Sequence, residues 1–99
     1  MVVKPKRRYV AVKAEPEVPP EEVFKVIREK FAELFGLVGV AEADLRFYKF
    51  RDTAIIRCRL ESLPKLLFST AIVKEINGIP TVLRTIRISG TMRKLKEMG

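Results

Sequence analysis

DLRFYKFRDTAIIRCRL, residues 44–60, decides the fold. From Asp44 to Phe50, Leu45 and Phe47 alternate with Arg46, Tyr48 and Phe50. From Thr53 to Leu60, Ala54, Ile56, Cys58 and Leu60 alternate with Ile55, Arg57 and Arg59. A period of two marks a strand with one buried face. Arg51 and Asp52 fall between the two runs, so the segment predicts a β-hairpin, although it lacks the glycine usual in such turns.

A helical pattern flanks the hairpin on each side. Upstream, Val23, Phe24, Ile27, Phe31, Leu34 and Phe35 recur at three- and four-residue spacing. Pro20 suits the first turn, and Glu21 and Glu22 sit at the positive end of the helix dipole. Gly36 or Gly39 can end this helix. The aromatic stripe reads as core. Downstream, Ser62 is placed as an N-cap with Pro64 in the first turn. Leu63, Leu66, Leu67, Ala71 and Val73 give the second helix its apolar side, and Asn77-Gly78 with Pro80 closes it.

Outside the helices lie two more strands. Tyr9–Ala14 alternates Val10 and Val12 against Tyr9, Ala11 and Lys13, and 15–20 (EPEVPP) breaks it. Thr81–Ser89 places Val82, Ile86 and Ile88 on one face. Arg84 falls on that same face, a discrepancy that a bulge or a strand-end position would resolve. Within the C-terminal tail, 91–99, the stretch Thr91–Met98 is expected to form a short helix with Met92, Leu95 and Met98 aligned. Residues 1–8 are a basic arm.

The resulting order is β-α-β-β-α-β plus a C-terminal helix, the α+β ferredoxin-like (RRM-like) sandwich. An antiparallel four-stranded sheet would carry both long helices on one face. At 99 residues the chain makes one domain, 1–99, and 47% hydrophobic residues suffice for a small core. No repeat, linker or low-complexity segment interrupts it.

Twenty Lys and Arg stand against twelve acids, a net charge of +8 with no histidine. So much positive charge on so small a domain favours a polyanionic partner. The face opposite the helices should carry Tyr9, Ala11, Lys13, Arg46, Tyr48, Ile55, Arg57, Arg59, Leu83, Thr85 and Arg87. Either this face is open for binding, or the C-terminal helix crosses it and buries its apolar part. Strand 53–60 has no aromatic and does not match the RNP1 pattern, so contact with phosphates and folded RNA shape is favoured over base stacking.

Enzymatic readings fare poorly. The missing histidine removes the commonest general base. Acylphosphatase shares the topology but needs a glycine-rich cradle with an arginine after the first strand; here that connection is acidic and glycine-free. Cys58, the single cysteine, lies at an inward strand position and reads as core, with neither disulfide nor multi-cysteine metal site open to it. No catalytic or metal-binding residues are therefore expected. A lone cysteine and no signal peptide suggest a reducing cytoplasm, and no apolar run is long enough to span a membrane. The absence of Gln, a single Asn and 32% charged residues fit a hyperthermophile.

Four stretches in order carry a family resemblance: KPKRRY (4–9), AEADLR (41–46), the strand ending IRCR (56–59), and RISGT (87–91) followed by basic residues. Together, over nearly the whole chain, they resemble the archaeal ribonuclease P protein component 2 family, counterparts of the Pop5-type eukaryotic ribonuclease P/MRP subunit. One departure is the short ending, where some family members continue further.

The resemblance implies a non-catalytic protein subunit in the removal of the 5′ leader from precursor tRNA. Cleavage would belong to the RNA subunit and its magnesium, with no cofactor bound by this chain. It implies ribonuclease P RNA, precursor tRNA and the barrel-like component 3 as partners, with a homodimer or heterotetramer among the assemblies. By motif match Lys6, Arg7, Arg8, Arg57, Arg59, Arg87, Arg93 and Lys94 become candidate phosphate contacts, and the basic arm and open face add Lys4 and Arg46. Tyr48, Ile55, Leu83, Met92 and Leu95 are candidates for a protein interface. The alternative function is a regulatory or assembly domain that binds protein through the open sheet. It expects RNA binding that is weak and indifferent to salt, where the RNA reading expects steep salt dependence.

Overall fold

A computed structural model describes residues 6–96. Strand β1 (Arg7–Glu15) leads to helix α1 (Pro20–Ala43), the hairpin β2 (Arg46–Phe50) and β3 (Thr53–Arg59), and helix α2 (Leu63–Ala71). A small hairpin of β4 (Glu75–Ile76) and β5 (Ile79–Pro80) follows, then β6 (Val82–Ser89) and α3 (Met92–Lys96). The four long strands form one antiparallel sheet in the order β2-β3-β1-β6. This is the ferredoxin-like arrangement expected from the sequence.

The alternation in the hairpin works as the period-two rule requires. Ala54, Ile56 and Cys58 point to the helices with Val10 and Val12, and meet Val23, Ile27, Phe31 and Leu66 in the main core. Phe24 stacks on Phe47 with ring centroids 5.2 Å apart, tying α1 to β2. Burying a side chain such as Phe31 or Ile27 contributes about 1.5–3 kcal/mol. Arg51 supplies the positive φ of 57° that glycine would usually give the turn.

Several boundaries differ from the sequence expectation. Gly36 breaks α1 with φ 72°, yet a second helical segment continues to Ala43. Asp44, expected in β2, instead caps α1 in a left-handed conformation, its N–H donating to the Val40 carbonyl. Ser62 makes no side-chain cap; it is buried in a 3-10 turn, Leu60–Ser62, ahead of α2. Helix α2 stops at Ala71. Asn77 and Gly78, both at positive φ, turn the small hairpin rather than close the helix. Asn-Gly is the strongest two-residue hairpin signal, and it prevails here over its reading as a helix end.

The Arg84 discrepancy resolves through a bulge. Ala11 pairs with Arg87 but Val12 pairs with Thr85, leaving Ile86 as the extra residue. Before the bulge the facing inverts. Leu83, opposite Ala14, enters the helix-side core, while Val82 and Arg84 turn to the other face. The placement of Leu83 and Thr85 on the open face, and of Val82 and Ile86 on the helix side, is thereby corrected.

The face without long helices is partly covered by α3. Leu95 is fully buried against Ala11 and Ile55, with Tyr9, Phe50 and Met92 around them. The N–H of Lys94 donates to Thr91 Oγ1 at 3.4 Å, which starts this short helix. Met98 lies outside the described residues.

Candidate nucleic-acid interface

Strand pairing sets the side chains of this face in rows. Arg57 stands between Arg46 on β2 and Tyr9 on β1; Ile55 stands between Tyr48 and Ala11, with Arg87 beyond on β6; Arg59 stands opposite Arg7. The apolar members near the middle lie under α3, which leaves cations to dominate what is exposed. Tyr9 and Tyr48 meet at 6.2 Å between centroids and add two aromatic rings.

At one end of the face, three arginines converge on one carboxylate. Arg7 Nη1 donates to Asp44 Oδ2, Arg57 Nη2 lies 3.6 Å from the same oxygen, and Arg46 Nε lies 3.6 Å from Oδ1. The Arg7 hydrogen bond, then the charges of Arg7, Arg46 and Arg57, hold the Asp44 carboxyl below its ordinary value against the opposing effect of burial. One negative charge among three positive ones leaves the cluster cationic. Arg57 Nε and Arg59 Nε are buried without a hydrogen-bond partner in the protein. The cluster can donate to phosphate oxygens through its other guanidinium nitrogens, and the Asp44 contact fixes the guanidiniums in place beforehand.

The remaining candidates are spread more widely. Arg87 is exposed on the same face. Arg8 pairs with Cys58 and so belongs to the opposite side of β1; its Nη1 donates to the Arg7 carbonyl at 2.8 Å. Lys6 is exposed at the head of β1, and Arg93 and Lys94 are exposed on α3. Lys4 lies outside the described residues. Of the protein-interface candidates, Tyr48 is exposed and Met92 half-buried. Ile55, Leu83 and Leu95 are buried and present no surface: Ile55 and Leu95 pack on each other through α3, and the bulge turns Leu83 inward.

An apolar surface that sequence reasoning missed lies at the break in α1. Leu37 is 84% exposed and Val38 71%. The signal was available: GLVG (36–39) continues the three- and four-residue spacing through Leu37 and Val38 but sets them between two glycines, and the break at Gly36 turns them off the buried stripe. Cys58 is buried, and that burial pushes its thiol up to about 11, so it is a poor nucleophile. Among the described residues no helix is long and apolar enough to cross a membrane.

The pattern of the Rpp14/Pop5 family matches residues 8–98. Ribonuclease P protein component 2 of Thermococcus gammatolerans is 35% identical over 96 residues, covering 92% of this chain and 80% of that protein. Ribonuclease P/MRP protein subunit POP5 of Schizosaccharomyces pombe is 25% identical over 91 residues, covering 87% of this chain and 66% of that one. In shape, a chain from the structure of yeast ribonuclease MRP superposes with a TM-score of 0.67 over 92% of this chain and 79% of that chain, at 10% identity.

Proposed function

The chain belongs to the Rpp14/Pop5 family, and from that membership we propose that it serves ribonuclease P as a non-catalytic protein subunit. Its task is to support the catalytic RNA, with its magnesium, while the 5′ leader is cut from precursor tRNA. The observation that carries the reading is the gathering of Arg7, Arg46 and Arg57 around Asp44 on the sheet face that bears no long helix, with Arg59 opposite Arg7 and Arg87 on the same face two strands from Arg57. Phosphate contacts of this kind position a protein on RNA without reading sequence.

The rival, a protein-docking domain working through the open sheet, is disfavoured by α3. That helix sequesters Ile55 and Ala11 at the centre of the face and leaves its exposed apolar groups, Tyr48, Val82 and Ile86, among cations. Protein contacts are placed elsewhere, with the Leu37 and Val38 surface as the region of suitable composition. The partners proposed are component 3 and a second copy of the chain, in the cytoplasm. Reconstitution with ribonuclease P RNA and component 3, with and without this chain, tests the function. Faster cleavage of precursor tRNA with the chain present is expected. Identical cleavage in both mixtures would overturn the proposal.

A further inference from the structure

At the opposite end of the sheet from the arginine cluster, the β2–β3 turn, β1, β6 and α3 enclose a pocket of about 320 Å³. That is near the lower bound of the roughly 300–1,000 Å³ typical of small-ligand sites. Its floor is apolar: Ala11, Ile55 and Leu95 are buried beneath it. Phe50 forms one wall, with the Arg51 guanidinium 5.2 Å and Lys96 Nζ 5.9 Å from its ring centre. At the rim Lys13 Nζ lies 3.8 Å from Asp52 Oδ1, a loose and largely solvated pair, and Thr53 Oγ1 donates to the same Oδ1 at 3.5 Å.

An apolar floor, a cationic surround and one donor–acceptor pair at the rim describe a site for a flat heterocycle attached to a phosphate. We propose that this pocket takes a single unpaired base of the bound RNA, and that it favours guanine. This rests on the RNA-binding reading above.

The preference follows from the edge groups. Guanine presents in sequence an acceptor, O6, and two donors, N1–H and N2–H. The Lys13 ammonium suits the first, and the Asp52 carboxylate can accept from both donors. Uracil offers one donor between two carbonyl oxygens, so the carboxylate meets a second acceptor and the pairing fails. Lys96 and Arg51 stand where the backbone phosphates on either side would pass. A two-donor contact of this type discriminates by about tenfold or more. The arrangement differs from base stacking on central strands, for which β3 lacks an aromatic. Here the base enters an end pocket beside α3.

The test compares the single-stranded hexamers UUUGUU and UUUUUU by fluorescence anisotropy at one salt concentration, with the whole chain and with Asp52→Asn. The guanosine hexamer should bind about tenfold more tightly to the unaltered protein. Asp52→Asn should abolish that preference while leaving uridine affinity equal or higher, because the variant is more cationic. A merely electrostatic Asp52 would instead let both hexamers gain equally. Amide resonances of Phe50–Thr53 and Ile86 should move when GMP is added. Equal hexamer affinities, or GMP shifts confined to Arg7, Arg46 and Arg57, would overturn the pocket while leaving RNA binding intact. Weak binding of both hexamers and of folded RNA, insensitive to salt, would overturn both readings.

Discussion

Replacing Asp44 with Asn separates the structural work of the arginine cluster from its positive charge. Asp44 occupies the left-handed region at φ 49°, ψ 54°, which Asn tolerates well, so the backbone should persist. What disappears is the charge that holds Arg7, Arg46 and Arg57. A hydrogen bond to a charged group contributes about 1.5–3 kcal/mol, and partial exposure puts this one at the low end. The two looser arginines add a few tenths each. The expected loss is thus about 1–2 kcal/mol, or roughly 5–15 °C in Tm for a domain of this size. Asp44→Ala should lose about a further 1 kcal/mol from left-handed strain.

The pH dependence has a definite sign. Because the folded carboxyl is held below its ordinary value of 3.8, its contribution is complete above that value and is lost as pH falls through the lowered one. Thermal melts followed by circular dichroism at pH 7, 5 and 3 should show a constant gap between protein and variant down to about pH 4, closing below it. RNA affinity should change little, because the added positive charge offsets the loss of the contact that fixes the guanidiniums. A variant melting with the unaltered protein at pH 7, or a gap that persists in acid, would refute this account of the cluster.

Three further outcomes are expected. Leu95→Ala should cost about 2 kcal/mol, near the low end for a buried leucine because a terminal five-residue helix can lift away rather than preserve a cavity. Hydrogen exchange should show α3 losing protection while β1 and β3 keep theirs. Gly36→Ala should cost about 1–3 kcal/mol in urea unfolding from its glycine-only backbone at φ 72°, ψ 179° alone, since an added Cβ meets nothing within 4 Å. Cys58 should resist alkylation at pH 8 until the chain unfolds. Stability should also decline as pH rises from its ordinary 9.0 toward about 11, where the unfolded thiol ionises and the folded one does not.

The order of elements was legible because each long segment declares one period: two in 44–60, and three or four in 20–35. What stayed hidden was geometric. A single unpaired residue, Ile86, inverts the facing of everything before it in β6; Arg84 on an apolar face signalled an irregularity in the strand but not which residue bulges. Asn77-Gly78 carries a hairpin signal, but its place after an apolar helical stripe suits a helix end equally well. The cations of the open face could be named individually. Their convergence on Asp44 could not, because residues 7, 44, 46 and 57 meet only once β1, β2 and β3 have paired. Coverage by α3 depended on which way the chain turns after Gly90, and the two outcomes differ in tertiary packing rather than in pattern.

The most direct measurement is the salt dependence of affinity for ribonuclease P RNA, compared between the unaltered chain and a variant with Arg46, Arg57 and Arg87 all changed to Gln. Logarithmic affinity should fall linearly with the logarithm of salt, and the variant's slope should be shallower by about two to three units, roughly one for each phosphate that no longer meets an arginine. A folded variant with an unchanged slope and unchanged affinity would contradict the assignment of this face to RNA.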